Sequence, residues 1–260
     1  MNKNSDQFYT KEVISQKCIH FLKKYINLKD FFVIEPSGGT GAFVKYIDKN
    51  DFISFDIEPK YPNIVKKDFL KVDLLKEVKT DKPILSLGNP PFGKNASLAI
   101  KFFNHCSLVS DYIAFIVPLS FNTHSIENRL NPHFHNIANL EIDFNAFIFK
   151  NKEHSVPTIF KIYKRENYKR EIKKVEYIKE LDFVKDHKEA DIIIRRVGVK
   201  AGYISNTKSP SSNYFLKCSE KIKKIITENQ EKLNLLAKSK GVMPSLSKYE
   251  LIEFVKKLKS

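Results

Sequence analysis

An amide residue, two prolines and a phenylalanine follow an apolar run in 83-PILSLGNPPFGK-94. Two adjacent prolines stop a helix and restrict the backbone around them. Residues 89–92 therefore hold one amide side chain, two proline carbonyl groups and one aromatic ring in a set geometry. A fixed set of polar groups beside a ring suits a loop that binds or transforms a ligand. An ordinary turn after a strand is the other interpretation, because short motifs also match by chance.

Three carboxylates stand where earlier strands are expected to end. Glu35 closes one apolar run, Asp56 closes the next, and Asp68 directly precedes Phe69. In open α/β sheets, ligands bind at the carboxyl ends of the strands. Asp56 there could accept the hydroxyl groups of a ribose, although a surface aspartate at a turn is the alternative. Asp68 could accept a hydrogen bond from an exocyclic amine, with Phe69 as an apolar wall.

A glycine-rich turn follows Glu35 in the segment 33-VIEPSGGTGAF-43. Small residues let the backbone approach a ligand, and a helix that begins there offers free N–H groups. A carboxylate at this point suits a cationic ligand better than a pyrophosphate. A purely structural turn and a dinucleotide site remain alternatives. The candidate contacts in the turn are Pro36, Gly39 and Gly41.

The elements that position these residues alternate between helices and short apolar strands. Helices are expected at 11–25, 42–47 and 96–109, and after the central region at roughly 219–238 and near 248–258. Strands are expected at 31–35, 52–57, 63–68, 83–89, 112–118, 139–149 and 156–164. This alternation predicts an α/β fold with a mostly parallel central sheet that is covered on both faces. The last two strands lack a helix between them, so an antiparallel edge is expected.

The charge pattern changes after residue 165 and predicts a domain at 1–165 and a small basic region at 166–260. The chain of 260 residues carries 45 Lys or Arg against 30 Asp or Glu, a net charge of +15. Residues 166–260 hold 22 of the basic and 13 of the acidic residues, and 192–219 hold no acidic residue. A basic surface favours a nucleic acid partner, although an AT-rich genome also enriches lysine. The candidate contacts to the DNA backbone are Arg195, Arg196, Lys200, Lys208 and Lys217.

The three cysteines, Cys18, Cys106 and Cys218, lie far apart and form no metal-ligand pair. Cys18 and Cys106 fall in apolar helical patterns and are expected to be core thiols. We therefore expect no metal site and a reducing, intracellular (cytoplasmic) location, bacterial or viral. The first ten residues do not resemble a signal peptide, and no apolar run is long enough to span a membrane.

The order 35-EPSGGTG-41, Asp56, Asp68-Phe69 and 89-NPPF-92 resembles the S-adenosylmethionine-dependent N6-adenine DNA methyltransferases. The order is similar to that of their gamma group, in which target recognition follows the catalytic core. The opening 6-DQFYT-10 resembles the segment that folds over the methionine end of the cofactor, which implies a cofactor contact for Thr10. This chain has Lys11 where the family has proline, and Glu35 where Asp is commoner. The resemblance covers about residues 6–165 and implies a Rossmann-like methyltransferase fold.

The resemblance also implies roles for residues 89–92. Asn89 and the Pro90 carbonyl would accept the two hydrogens of adenine N6, and Phe92 would stack on the base. The proton could leave to water, so no strong general base is needed. A base paired in a duplex must first be flipped out of it. Phe149 is the candidate for the second wall of the flipped base, with Phe147 as the alternative.

The resemblance therefore implies site-specific methylation of double-stranded DNA, with a restriction endonuclease or a specificity subunit as possible partners. Asn-Pro-Pro-aromatic segments also occur in enzymes that methylate RNA adenine or guanine, or the glutamine amide of proteins. The positive charge favours nucleic acid over protein but does not separate DNA from RNA. The gamma-like order and the opening segment favour DNA. A non-catalytic nucleic-acid-binding subunit with the same fold is the alternative of a different class.

Overall fold

The computed structural model describes residues 9–48, 51–142, 146–149, 152–154, 157–172, 177–238 and 244–259. The chain divides into two compact units, Met1–Ile172 and Lys173–Ser260. The predicted boundary lies seven residues earlier, at 165. Backbone hydrogen bonds from Glu166 N to His133 O and from Arg170 N to Pro132 O join the segment after 165 to the first unit. The functional roles predicted for the two regions remain predictions.

Strands and short helices alternate in the first unit. Its strands are β1 (Tyr9–Thr10), β2 (Phe32–Glu35), β3 (Phe52–Asp56), β4 (Ile64–Lys66), β5 (Ile84–Gly88), β6 (Tyr112–Pro118), β7 (Phe134–Ile142), β8 (Phe147–Phe149), β9 (Lys152–His154) and β10 (Thr158–Arg165). Its α-helices are α1 (Glu12–Leu22), α2 (Leu74–Glu77), α3 (Ser97–Cys106) and α4 (His124–Glu127). β1, β8 and β9 form a small sheet of their own.

Within the described residues, seven strands form a central sheet in the order β4-β3-β2-β5-β6-β10-β7. The neighbouring strands from β4 to β6 are parallel, and β10 is antiparallel to both β6 and β7. The predicted fold class, a mostly parallel α/β sheet of Rossmann type with an antiparallel edge, is confirmed. The chain order changes direction at β2 and β5, which lie side by side at the centre. Ligands bind at the carboxyl ends of the strands at such a switch point.

Both faces of this sheet are buried, which explains why its strands are continuous apolar runs rather than alternating ones. Successive residues of β2 enter different hydrophobic clusters, Val33 one and Ile34 the other. The same alternation holds for Ala114 and Phe115 in β6. Helix α1 covers one face and α3 the other, and their predicted core thiols, Cys18 and Cys106, are fully buried.

Two predicted elements of the first unit are wrong. Residues 42–47 form turns and a short 3-10 helix, Val44–Tyr46, rather than an α-helix. The strand predicted at 139–149 is divided between β7 and β8, which belong to different sheets. β7 is an edge strand, so its early residues can be polar and half-exposed, and this hid its true start at Phe134.

The second unit has its own sheet and core. Its strands are β11 (Leu181–Val184), β12 (Ile192–Arg195) and β13 (Asn213–Cys218), and its helices are α5 (Glu220–Glu228), α6 (Gln230–Lys238) and α7 (Lys248–Lys259). The strands are antiparallel with β13 in the centre. The helix predicted at 219–238 is two helices, because the chain leaves the helical conformation at Asn229 (φ −120°, ψ 25°). The helices contribute Ile222, Leu233 and Leu251 to a fully buried core.

Among the described residues, no helix combines the length and apolar character needed to cross a bilayer.

Candidate active site

A cavity of about 350 Å³ opens where β2, β3 and β5 end in the first unit. It is called the main cavity below. The chain switch point predicts a ligand site at this edge of the sheet, and the volume is enough for much of a nucleoside-sized ligand. The predicted residues that line it are Pro36, Gly39, Asp56, Asp68, Phe69, Asn89, Pro90, Pro91 and Phe92. Residues that are far apart in the sequence thus meet at one place.

The glycine-rich turn after β2 forms part of the wall of the main cavity. Gly39 has φ +48°, and its N–H donates to Asp56 Oδ2 at 2.8 Å. A Cβ on Gly39 would lie 3.2 Å from the ring of Tyr9, so the small residue lets that ring approach the turn. Gly41 does not line the main cavity. It has φ +75°, and a Cβ there would lie 2.3 Å from the Tyr61 ring, which gives Gly41 a packing role.

Asp56 is held in place by the backbone around it. Its Oδ2 accepts from Gly39 N–H at 2.8 Å, and its Oδ1 accepts from Glu58 N–H at 2.7 Å. A carboxylate oxygen has more than one lone pair, so Asp56 keeps acceptor capacity towards the cavity. The bond from Glu58 N–H is also one that a surface aspartate at a turn makes, so the predicted contact to ribose hydroxyls stays a prediction beside that alternative.

Asp68 and Phe69 follow β4 and differ in their surroundings. Asp68 Oδ1 accepts from Leu70 N–H at 3.2 Å and begins a short 3-10 helix. Phe69 is almost completely buried, and its ring stacks on Phe102 with centroids 5.3 Å apart. Phe69 therefore forms part of the apolar floor of the main cavity rather than an exposed platform.

Glu35 is the most deeply buried acid of the site, with 1% of its surface exposed. It lines a small cavity of about 30 Å³ together with Thr10 and Asn89. Burial raises the pKa of this carboxyl well above its usual range, while a hydrogen bond from Ser54 lowers it and the nearby Asp56 charge raises it. Among the described residues, no lysine or arginine forms an ion pair with Glu35. A buried carboxylate is costly without a positive charge, so a cationic ligand would fit here.

The segment that starts at Asn89 is fixed at both ends. Asn89 Nδ2 donates to Thr10 Oγ1 at 3.1 Å, and the Asn89 carbonyl accepts from Ser37 Oγ at 3.0 Å. The Phe92 carbonyl accepts from Leu98 N at 3.1 Å, at the start of α3. Thr10 therefore touches Asn89 directly, and its predicted cofactor contact remains a prediction. The bond sets the orientation of the Asn89 amide.

The two candidates for the second wall of a flipped base lie on β8. Phe147 is fully buried, and its ring meets the Phe92 ring edge-on with centroids 6.4 Å apart. Phe147 thus supports Phe92 from behind. The backbone of Phe149 ends β8, but its side chain lies outside the described part of the structure. Its predicted stacking role remains a prediction.

The five predicted DNA contacts all belong to the second unit and have different surroundings. Arg195 and Lys200 line a common pocket of about 470 Å³. The Arg196 guanidinium lies over the Tyr214 ring at 5.2 Å, so it has a packing role. Lys208 and Lys217 are exposed and line no described pocket.

Several residues of the main cavity could not be recognised from the sequence. Ile57 directly follows Asp56 and stays half-exposed, and this exposed isoleucine after a strand-end carboxylate is a signal that could have been used. Leu98 and Phe102 come from α3, where their spacing only indicated a core face. Tyr9 lines the main and the small cavity, and Lys60 Nζ lies 5.1 Å from the centre of its ring.

No protein-family model matches the chain, and neither does any curated protein. Comparison with solved structures does find similarities. One is the M protein of the type I restriction enzyme EcoKI, with 18% identity over 64% of this chain and 45% of that one, at a TM-score of 0.45. Another, from Vibrio vulnificus, is described as a modification subunit of a type I restriction enzyme, with 17% identity over 63% and 45% of the two chains and a TM-score of 0.46.

A third, from Listeria monocytogenes, is described as a class I S-adenosylmethionine-dependent methyltransferase. It is 15% identical over 67% of this chain and 65% of that one, with a TM-score of 0.46. The chain spans less than half the length of the two restriction-modification proteins, at 45% of each. At identities of 15–18%, the similarities do not say what this chain acts on.

Proposed function

We propose that this chain transfers a methyl group from S-adenosylmethionine to N6 of an adenine that is flipped out of DNA. The observation that supports it is the main cavity, which unites Asp56, Asp68 and residues 89–92. Neither half of this set is specific alone. Carboxylates at strand ends suit a nucleoside, and the Asn-Pro-Pro-Phe segment suits a planar amine. Their common cavity is what a transfer between the two would need.

The residues present fit S-adenosylmethionine. The buried Glu35 suits a ligand with positive charge, Asp56 suits its ribose hydroxyls, and Asp68 suits the adenine amine. Ile57, Leu98 and Phe102 supply apolar surface for the adenine ring. When bound, the cofactor supplies a methyl group activated on a sulfonium.

Asn89 and Pro90 act on the amine that receives the methyl group. The nitrogen of adenine N6 is a poor nucleophile because its lone pair is delocalised into the ring. The Asn89 side-chain oxygen and the Pro90 carbonyl accept its two hydrogens, which favours a tetrahedral nitrogen with a directed lone pair. Asn89 Nδ2 donates to Thr10 Oγ1 at 3.1 Å, which engages the nitrogen end of the amide, and the oxygen end is the one proposed to accept from the substrate. Positioning and electrostatics then provide most of the rate, and the proton leaves to water.

Phe92 provides the surface on which the flipped base stacks. Its ring lines the main cavity and is supported from behind by Phe147. Base extrusion costs a few kcal/mol of stacking and pairing, which stacking on the protein offsets in part. The predicted second wall at Phe149 completes this proposal.

We propose DNA rather than RNA or protein as the substrate because of the net charge of the chain and the order of its motifs. The net charge of +15 favours a polyanionic substrate over a protein amide. The gamma-like motif order favours DNA over RNA. A restriction endonuclease or a specificity subunit is proposed as a partner, as the family resemblance implies.

The test is a transfer assay with radiolabelled S-adenosylmethionine. Unmethylated DNA, total RNA and a protein extract are incubated in parallel, with Asn89→Ala as the control variant. The labelled product is then digested and identified. N6-methyladenine in DNA, absent with the variant, is the expected result. Label in RNA or in glutamine would show that the substrate is RNA or protein rather than DNA. Cofactor binding without any transfer would favour the non-catalytic alternative.

A further inference from the structure

We propose that the pocket of about 470 Å³ in the second unit binds a phosphate of the nucleic acid backbone. It is called the basic pocket below. It lies at the end of β12 and in the loop 196–207, outside the main cavity. The proposal rests on the proposed function for the identity of the substrate. Of the five predicted DNA contacts, it selects the two that line this pocket, Arg195 and Lys200.

The loop that forms the basic pocket is fixed by buried contacts. Asn234 on α6 is 3% exposed, and its Nδ2 donates to the carbonyls of Val199 and Ala201 at 2.8 Å each. These two carbonyls flank Lys200. Gly202 has φ +92°, and a Cβ there would lie 2.6 Å from the backbone of Leu233. The loop is therefore anchored on α6, and the backbone of Lys200 is positioned before any ligand binds.

Arg195 is also held in position. Its Nε donates to the Val197 carbonyl at 3.2 Å, and its Nη1 donates to Thr207 Oγ1 at 3.3 Å. A guanidinium has five N–H donors, so most remain for a ligand. Among the described residues, neither Arg195 nor Lys200 forms an ion pair. Residues 192–219 also contain no acid, so neither charge is neutralised by a neighbour in the sequence.

The hydroxyl groups of the basic pocket reveal a further donor. Thr207 Oγ1 accepts from Arg195 Nη1 at 3.3 Å and lies 2.9 Å from Ser205 Oγ, and either hydroxyl of this pair can donate to the other. Ser205 Oγ also accepts from Thr207 N–H at 3.2 Å. When Thr207 is the donor of the pair, the hydrogen of the Ser205 hydroxyl is left for a ligand.

The basic pocket thus offers a guanidinium, an ammonium and a donating hydroxyl. Such a set suits an oxygen-rich anion, and a phosphate with several acceptor oxygens can use all three. Val197, Val199 and Ile204 also line it, which gives apolar surface beside the anion for a sugar. A phosphodiester within a nucleic acid combines these two chemistries.

The test compares two exposed lysines of the second unit. Lys200→Gln changes the basic pocket, and Lys185→Gln makes the same charge change outside it and outside the predicted DNA contacts. Affinity for a short fluorescent DNA duplex is measured across a salt series without cofactor. Loss of a charge-assisted hydrogen bond should weaken binding about tenfold in Lys200→Gln and reduce the salt slope by about 0.9. Lys185→Gln should change affinity by no more than about twofold, as for a screened surface charge.

Ser205→Ala supplies an independent measurement. It should weaken duplex binding while leaving the salt slope unchanged, because it removes a donor and no charge. Equal effects of the two lysine variants, or no effect of Ser205→Ala, would overturn the proposal. Stronger competition by a free nucleotide or inorganic phosphate than by a duplex of equal phosphate concentration would also overturn it, in favour of a small-anion site. Since no methyl transfer is measured, a failure here is separate from a failure of the proposed function.

Discussion

The bond between Thr10 and Asn89 allows a sharp test of how the amide is positioned. Thr10 is held by pairing of β1 with β8, where it lies opposite Phe147, and its Oγ1 accepts from Asn89 Nδ2 at 3.1 Å. Thr10→Val keeps the shape and removes the acceptor. Without it, the Asn89 amide loses a contact that helps to set which of its two ends faces the substrate. The oxygen would then face the substrate for only part of the time.

The size of the effect follows from this one bond. A neutral hydrogen bond contributes about 0.5–1.5 kcal/mol net. If that amount is lost in the transition state, kcat falls by roughly 2- to 13-fold. Removal of a preorganised polar group that acts directly on the reacting atoms costs about 100- to 1,000-fold, so Thr10→Val should remain far more active than Asn89→Ala.

The assay is steady-state transfer to DNA with saturating cofactor, together with cofactor affinity by calorimetry. Thr10→Val should lower kcat with little change in cofactor affinity. Thr10→Ser keeps the hydroxyl and should restore most of kcat. Wild-type kcat in Thr10→Val would refute the positioning role. Weaker cofactor binding at unchanged kcat would instead support the cofactor contact that the family resemblance implies.

Three further changes test the site. Asn89→Ala should abolish measurable transfer while cofactor affinity, measured by calorimetry, is retained. Asp56→Ala should raise the cofactor dissociation constant by about 10- to 100-fold, the value of a hydrogen bond to a charged group. Without cofactor, Glu35→Gln should become more stable than the wild type as pH rises. The raised pKa of Glu35 means that the folded state holds a proton which the unfolded state has lost, so wild-type stability falls with pH above about 4.3, by at most about 1.4 kcal/mol per pH unit.

Each of these has its own control. Asp73→Ala removes an exposed carboxylate outside the main cavity and should leave cofactor affinity unchanged. Denaturant unfolding of wild type and Glu35→Gln at several pH values measures the third prediction. A stability difference that is constant with pH would contradict it. Near-normal transfer by Asn89→Ala would show that the proposed role of the amide is wrong.

The fold of the first unit could be predicted because its strands are short apolar runs between helices. β2, β3, β5 and β6 were placed to within one or two residues. The small sheet of β1, β8 and β9 could not be predicted, because its strands have two or three residues and β1 pairs with β8, which is distant in sequence. The strands of the second unit were missed for a similar reason. β11 and β12 have only four residues each, and the antiparallel pairing with β13 decides their conformation.

The site residues could be predicted where a polar side chain directly follows the apolar run of a strand. Glu35, Asp56 and Asp68 could be found because each carboxylate directly follows an apolar run. Gly41 could not be assigned, because only the fold brings the Tyr61 ring against it. The contribution of α3 was equally hidden, because the apolar face that fills the core is continuous with the face at the main cavity.

The two proposed sites carry charges of opposite sign, with carboxylates at the site for the cofactor and cations at the site for the phosphate. The acids of the main cavity lie at strand ends of a chain whose net charge is +15, whereas 192–219 contain no acid. Exposed charges more than about 10 Å apart are largely screened at 0.1 M salt, so local composition decides what each site attracts. A cationic cofactor beside buried Glu35 is screened little, and a phosphate at Lys200 is exposed to salt. Salt should therefore weaken DNA binding far more than cofactor binding, which separates the two sites in one titration.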